Sequence, residues 1–195
     1  MKLKYRGFSL TIALATAIIV CATIQSCNKD AGKSYTLALN TGSVNIVIPP
    51  TAAAVLDTFG SGTTNFNIDS FIKAGTGNSS LALTNISSVK LTSCVLTITS
   101  GANPSTSTPN SFGNFGECIA LFSSSSNVNS YEIGVSHNPV NYTTTLTMPA
   151  DTTTELKSYF NGNQFKYSLI GDLSTATTDT MVCNVQFLYT MYIQG

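Results

Sequence analysis

Tryptophan is absent from this chain, histidine occurs once, and arginine occurs once, at position 6. Charged residues make up only 9% of the 195 residues, against about 25% in ordinary soluble domains. Each shortage excludes something. Nucleic-acid binding needs a basic stripe that neutralises phosphates, usually with arginine forks, and no such stripe exists here. A zinc centre needs several clustered nitrogen or sulfur ligands, which a lone His137 does not supply. A hydrolytic triad needs that histidine beside an activated nucleophile, and no G-x-S-x-G elbow is present. The D-x-D-x-D-G calcium loop and phosphate-cradling glycine patterns are missing as well. Carboxylates are scattered. Glu117 and Glu132 could pair across strands, but a glycosidase needs its two carboxyls facing one cleft. Asp172 and Asp179 flank a threonine-rich segment that reads as a solvated hairpin loop.

A long apolar span is lacking too. The longest uncharged apolar run, Phe8–Ala22 (FSLTIALATAIIVCA), ends before Gln25 and Ser26. A spanning helix needs about 20 predominantly apolar residues, whereas the core of a signal peptide needs about 7–15. Lys2, Lys4 and Arg6 precede the run as a positive n-region. Ile24-Gln25-Ser26-Cys27 then places a branched apolar residue at −3 and a small one at −1 of a cysteine. Cys21 fails that test, because bulky Val20 precedes it.

This N-terminal pattern resembles the lipobox signal peptide of bacterial lipoproteins. The resemblance covers residues 1–27 and implies removal of residues 1–26, a diacylglyceryl group on the Cys27 thiol and acylation of the freed amine. Each buried methylene contributes about 0.8 kcal/mol to a lipid anchor, so two or three chains on Cys27 would hold the protein on the bilayer durably. Residues 27–34 then read as the lipidated cysteine and a polar tether. In bacteria with two membranes, lipoproteins with Asp directly after the acylated cysteine stay at the inner membrane. Asn28 stands there, so the resemblance implies a lipid anchor in the outer membrane, facing the periplasm or the surface. From Cys27 onward six lysines face nine carboxylates, a net charge of −3.

What the chain has in quantity is alternation. Tyr35, Leu37 and Leu39 share one parity, Asn40-Thr41-Gly42 signals a turn, and Val44, Ile46 and Ile48 alternate up to Pro49-Pro50. Phe66 and Ile68 suggest a strand entering Asp69–Lys73. Val89–Ile98 changes phase in its middle, which a β-bulge near Ser93 would reconcile. Cys118–Phe122, Tyr131–Val135, Thr144–Met148 and Phe165–Leu169 supply further strands, and Met181–Met191 is the clearest of all. Thr152–Glu155 fits a capping box, with Leu156, Tyr159 and Phe160 as one apolar stripe and Gly162 as an αL closure. The expected fold is all-β: a two-sheet antiparallel sandwich, jelly-roll-like, over 35–195, with one short connecting helix near 152–161.

Three cysteines remain in the body, Cys94, Cys118 and Cys183, each within an expected strand. They read either as small buried hydrophobes or as one disulfide with a thiol left over, and a Cys–His dyad is a remoter alternative. His137 in Ser136-His137-Asn138-Pro139 reads as a turn after a strand. The candidate binding loop is Ser111–Gly116, where Phe112, Asn114 and Phe115 stand among glycines. Both rings could be exposed to grip a ligand or could plug the end of the sandwich. Tyr131, Tyr142, Tyr159 and Tyr192 could stack on a sugar ring. No catalytic residue, metal ligand or cofactor site is expected. The expected partners are the bilayer, through Cys27, and a protein or glycan ligand, with no nucleic acid. The function expected is that of a non-enzymatic binding or surface-interaction module. The alternative is an accessory or structural subunit of an outer-membrane assembly or fimbria, and a hydrolase is the remoter reading.

Overall fold

The computed structural model describes residues 32–54, 56–103, 110–137 and 142–195. The signal-like segment, Cys27, most of the tether, and Asn138 with Pro139 lie outside the described residues. Ser34–Gln194 forms a compact unit, and all that follows concerns it.

Eight strands make it up: β1 (Ser34–Ile48), β2 (Leu56–Asn65), β3 (Ile86–Ser100), β4 (Phe115–Ser124), β5 (Tyr131–His137), β6 (Thr145–Met148), β7 (Gln164–Leu173) and β8 (Met181–Gln194). They pair antiparallel in two four-stranded sheets, in the orders β1-β8-β3-β6 and β2-β7-β4-β5. Eight strands shared between two sheets in this order, with β4 and β5 as a hairpin in one of them, form a jelly roll. Among the described residues one α-helix, α1 (Ile68–Thr76), joins β2 to the segment before β3.

The period-2 pattern decides which face is buried. In β8, Met181, Cys183, Val185, Phe187, Tyr189, Met191 and Ile193 all point inward and are at most 1% exposed. Opposing residues of β4 and β7 meet them. The Phe122 ring lies 5.5 Å from Tyr167, 5.7 Å from Phe160 and Tyr189, and 5.1 Å from Tyr159. Tyr167 stacks on Phe187 at 4.4 Å. Rings from both sheets therefore interlock across the sandwich, each burying a large apolar area and adding favourable pair geometry.

Asn40-Thr41-Gly42, expected as a turn, is instead a bulge within one long strand. β8 runs beside both halves of β1, and the register shifts between Asn40 and Ser43. Gly42 absorbs the extra residue at φ +93°, a left-handed conformation open to glycine. Its amide donates to Asn40 Oδ1 at 2.9 Å. The bulge turns Thr41 inward, where its hydroxyl meets that of Tyr167. The bulge expected near Ser93 is present, with the β3–β8 register shifting between Leu91 and Ser93. Along one side β1 and β2 approach closely. A Cβ on Gly62 would sit 2.7 Å from Val44 Cβ, so only glycine fits there.

A short helix does form near 152–161, but it is a 3-10 turn, and the α-helix of the described residues lies elsewhere. Residues 152–161 contain a 3-10 turn, Lys157–Phe160, and Gly162 is not left-handed. Local polar bonds compete with the helix here. Asp151 accepts from the amides and hydroxyls of Thr153 and Thr154. Glu155 does not reach back to Thr152. It accepts from the Val89 amide at 2.9 Å and the Ser88 hydroxyl at 2.6 Å. The apolar stripe is nevertheless used, because Leu156, Tyr159 and Phe160 are all buried. The α-helix forms at Asp69–Lys73, which was expected only as a short segment after a strand. Asn67 caps it by accepting from the Ser70 amide at 2.8 Å, Gly77 closes it in αL, and Ile68 and Ile72 are buried.

Among the described residues one enclosed side-chain polar atom lacks a partner, the Tyr189 hydroxyl. Burial and the neighbouring Tyr167 push its pKa up. Tyr189→Phe removes an unsatisfied group and keeps the ring, so stability should stay level or rise by up to about 1 kcal/mol. Phe122→Ala, emptying the centre of the ring cluster, should cost about 3–5 kcal/mol. Denaturant midpoints of the two variants check this. A large loss for Tyr189→Phe would mean that its hydroxyl is bonded after all.

Candidate functional site

The candidate binding loop is not an exposed loop. Phe112 and Asn114 are fully buried and Phe115 is 1% exposed. The rings pack on one another at 5.8 Å, and Phe115 meets Phe59 edge-on at 5.6 Å. Asn114 accepts from the Ser111 amide and donates to the Ala176 carbonyl at 3.0 Å, while its own carbonyl accepts from the amides of Ser174 and Thr175. A 3-10 turn over Phe112–Asn114 aims both rings inward. Burying two large apolar rings outweighs any gain from leaving them in water, so the segment plugs the end of the sandwich.

The disulfide that an odd cysteine count left open is not formed: Cys94, Cys118 and Cys183 are free and buried. Alternation places each on an inward face. Cys94 Sγ lies 3.6 Å from Met148 Sδ. Burial raises the thiol pKa values of Cys94 and Cys118, with the neighbouring Cys183 adding to the rise. Burial pushes Cys183 up to about 12, a bond to the Thr97 backbone opposing it. A thiol held protonated is a poor nucleophile and a poor metal ligand.

His137 lies at the end of β5, side chain 68% exposed, with Nδ1 3.2 Å from Glu117 Oε1. In register Glu117 faces His137, whereas Glu132 faces Leu121, so the two carboxylates do not form the cross-strand pair considered from sequence. Cys118 pairs with Ser136 and points into the core, and no Cys–His dyad is assembled. Asp179 Oδ2 accepts from Asn110 Nδ2 at 2.9 Å, tying the loop before β8 to the segment before β4. The rings of Tyr131 and Tyr159 lie 6.4 Å apart, but the four tyrosines do not form one platform. Tyr159 is buried, Tyr131 donates to Asp151 Oδ2 at 2.9 Å, and Tyr142 and Tyr192 are each 40% exposed.

The strongest asymmetry of the molecule is in its two sheets. The strands of β2-β7-β4-β5 carry Asp57, Glu117, Glu132, His137, Lys166 and Asp172; those of β1-β8-β3-β6 carry one charged side chain, Lys90. The outward positions of this second sheet fall in cross-strand rows. Thr36, Tyr192 and Ser88 form one, Asn45, Asn184, Thr97 and Thr145 another, and Gln186 lies between Ser43 and Val95. Lateral bonds tie neighbours together: Asn184 Nδ2 donates to Asn45 Oδ1 at 2.8 Å and to Ser43 Oγ at 3.1 Å, and the Thr92 and Thr190 hydroxyls meet at 2.9 Å. At one end the rows border a groove of about 580 Å³ lined by Tyr35, Thr36, Lys90, Thr152, Tyr192 and Gln194 among others. Lys90 is occupied, donating to the Thr153 carbonyl and standing 3.8 Å from Glu155. The result is a broad face mostly of hydroxyls and amides, interrupted by the exposed Val47, Leu188 and Tyr192, with its one charge neutralised. Sequence reasoning missed it because the signal is a lack of charge on four separate segments, and only pairing brings these together.

No family model matches the chain, and no curated protein matches it. Solved structures similar to it include infectious bursal disease virus, Gx strain, with TM-score 0.37 and 11% identity over 85% of this chain and 33% of that one. The capsid protein in a 60-mer BFDV structure aligns at TM-score 0.35 and 11% identity, over 85% of this chain and 95% of that one. Desmodium yellow mottle tymovirus aligns at TM-score 0.29 and 11% identity, over 86% of each chain. The chain spans about a third of the length of the first of these. Scores and identities this low carry no argument about function.

Two results should follow from the local chemistry. Because burial holds the thiols above their ordinary value of 9.0, raising the pH to that value should leave Cys94, Cys118 and Cys183 unalkylated in native protein. Mass spectrometry should then find all of them labelled once denaturant is added. Glu155 is held below its ordinary 4.5: partial burial opposes this, but bonds from Ser88 and the Val89 and Lys157 amides, with Lys90, outweigh it. A lowered carboxylate contributes stability that is present above pH 4.5 and lost as the pH falls through the folded-state value. Glu155→Ala should therefore lower stability at neutral pH by about 1 kcal/mol and weaken the loss on acidification, as pH-resolved melting would measure.

Proposed function

We propose that this chain is an exported, lipid-anchored binding module, moored to the outer membrane through Cys27 and making its contacts with the outward face of the β1-β8-β3-β6 sheet. The observation that carries this reading is the charge asymmetry of the sandwich. One face bears four carboxylates, a lysine and a histidine, and the other bears only the neutralised Lys90. A broad patch kept nearly free of charge in an otherwise acidic body suits repeated contact with another molecule, because little charge desolvation is incurred there. The anchor is supported by the n-region, apolar run and lipobox ahead of Cys27. A binding role without turnover is supported by the placement of the reactive groups, with the thiols inward and protonated and the one histidine outward on the other sheet.

The alternative role in a strand-donating assembly is disfavoured at one edge. Past the end of β6, the edge of β3 is already occupied: Val89 donates to Glu155 and accepts from the Leu156 amide at 2.9 Å. Such covering is a common way of blunting a sheet edge.

Mass spectrometry of the N-terminal peptide, joined to protease shaving of intact cells, tests the reading. The wild-type peptide should begin at an acylated Cys27 and the protein should partition into detergent. Cys27→Ser should retain residues 1–26 and lose the lipid mass. Identical mass and partitioning in both proteins would sink the anchor. Turnover on a hydrolase panel that is lost with His137→Ala would sink the non-enzymatic role.

A further inference from the structure

We infer that the ligand of this face is a neutral polysaccharide, held along β8 with one sugar ring stacked on Tyr192 in the groove. The inference rests on the binding-module reading above and adds the chemical class. Three features point to an uncharged hydroxylated chain. The first is charge. A polyanion would need cations, and Lys90, the one cation in these strands, already serves Thr153 and Glu155. A cationic polymer would find no free carboxylate there, because Glu155 is engaged by Ser88, the Val89 amide and Lys90.

The second is donor and acceptor chemistry. Amides and hydroxyls each offer both a donor and an acceptor, as a sugar hydroxyl does. The rows Thr36–Tyr192–Ser88 and Asn45–Asn184–Thr97–Thr145 repeat such groups across the strands. From Val182 to Gln194 the face runs about 40 Å at about 3.4 Å per residue, long enough for several sugars in sequence. Lateral bonds such as Asn184 to Asn45 at 2.8 Å hold the side chains in place before any ligand arrives, which lowers the ordering cost of binding.

The third is the aromatic platform. Tyr192 is 40% exposed in the central strand, flanked in register by Thr36 and Ser88. It lines a groove of about 580 Å³ beside Thr36, Ser88 and Thr152, inside the range of about 300–1,000 Å³ usual for ligand clefts. A tyrosine offers the apolar face of a sugar ring a flat partner and the sugar's edge a hydroxyl. A protein partner would more typically meet a cluster of buried aromatic and arginine anchors, whereas the exposed large apolar or aromatic side chains of this sheet, Val47, Leu188 and Tyr192, lie at separate register positions along β8.

Affinity electrophoresis of the full-length chain in detergent micelles tests the inference. Gels would contain a neutral β-glucan, a xylan or a galactomannan, with anionic polygalacturonate in a separate gel. At least one neutral gel should retard the protein. The retardation should be insensitive to salt, since no free charge takes part. Tyr192→Ala should weaken it about tenfold and Tyr192→Phe by much less. Lys166→Ser, on the opposite sheet, should leave it unchanged, and equal melting temperatures would show that the variants are folded. The inference is overturned by retardation in the anionic gel alone, by none in any neutral gel, or by Tyr192→Ala binding like wild type. A photo-cross-linker at position 188 separates the two readings. Capture of a protein with no glycan binding would overturn the sugar class while the binding face stands. Neither capture nor retardation would bring down both.

Discussion

The interlocking of rings around Phe122 is the contact on which the rest of this structure depends. Phe122 comes from β4, Phe165 and Tyr167 from β7, Phe187 and Tyr189 from β8, and Tyr159 and Phe160 from the 3-10 turn that closes the gap between β6 and β7. Among the described residues no charged side chain is buried between the sheets, so they have little electrostatic means of registering against each other. Shape does it instead, because close-packed rings admit few alternative arrangements. The core also dictates the polar bonds. Thr41 reaches the Tyr167 hydroxyl only because the Gly42 bulge turns it inward. Glu155 holds the β3 edge only because Leu156 and the aromatic pair after it are fixed in the core.

The same constraint frees the outside. With stability drawn from rings in a close-packed core, the outward positions of each sheet can take whatever polarity another task requires. On one sheet these positions carry carboxylates, a lysine and a histidine, with Glu117 directly opposite His137. On the other they carry mainly threonine, serine, asparagine and glutamine, with Val47, Leu188 and Tyr192 exposed among them. These side chains bond laterally to one another, so the face is orderly without being charged. Threonine is favoured there in any case, because its branched side chain suits a pleated surface. Propensity alone does not explain the asparagines and glutamine, which are poor strand formers.

Much of the fold was legible because alternation is a direct consequence of strand geometry. Met181 to Met191 could be assigned an inner face from sequence, and the phase change within Val89–Ile98 gave a bulge close to its true position. Legibility failed where a local signal had two physical solutions. Asn40-Thr41-Gly42 makes a turn or a bulge equally well, and the long partner strand β8 selects the bulge. Thr152–Glu155 can cap a helix or bond elsewhere, and the free edge of β3 takes Glu155 instead. Phe112 and Phe115 among glycines could have been exposed or buried, and the open end of the sandwich buried them. The uncharged face was hidden for another reason: its rows join residues far apart in the chain, Ser43 and Asn184 by 141 positions, and no linear pattern marks them.

In the proposed role, anchor and face belong to one physical design. A protein fixed to a bilayer by acyl chains meets its partners by lateral diffusion and close approach, so it gains little from long-range charge steering, which salt screens over about 8 Å. What such a protein needs is a surface that stays inert toward charged polymers of the envelope and still offers many weak, paired contacts to one extended ligand. Rows of hydroxyls and amides around one exposed ring meet both conditions. Each contact is worth little, since a hydrogen bond exchanged with water nets only about 1 kcal/mol, so affinity must come from repetition along β8. Specificity must then come from the groove, where Tyr192 and its neighbours in register fix the position of one ring of the chain. A charge placed anywhere along those rows would cost desolvation at every encounter, which gives a physical reason for so long a surface to carry Lys90 and no other charged side chain.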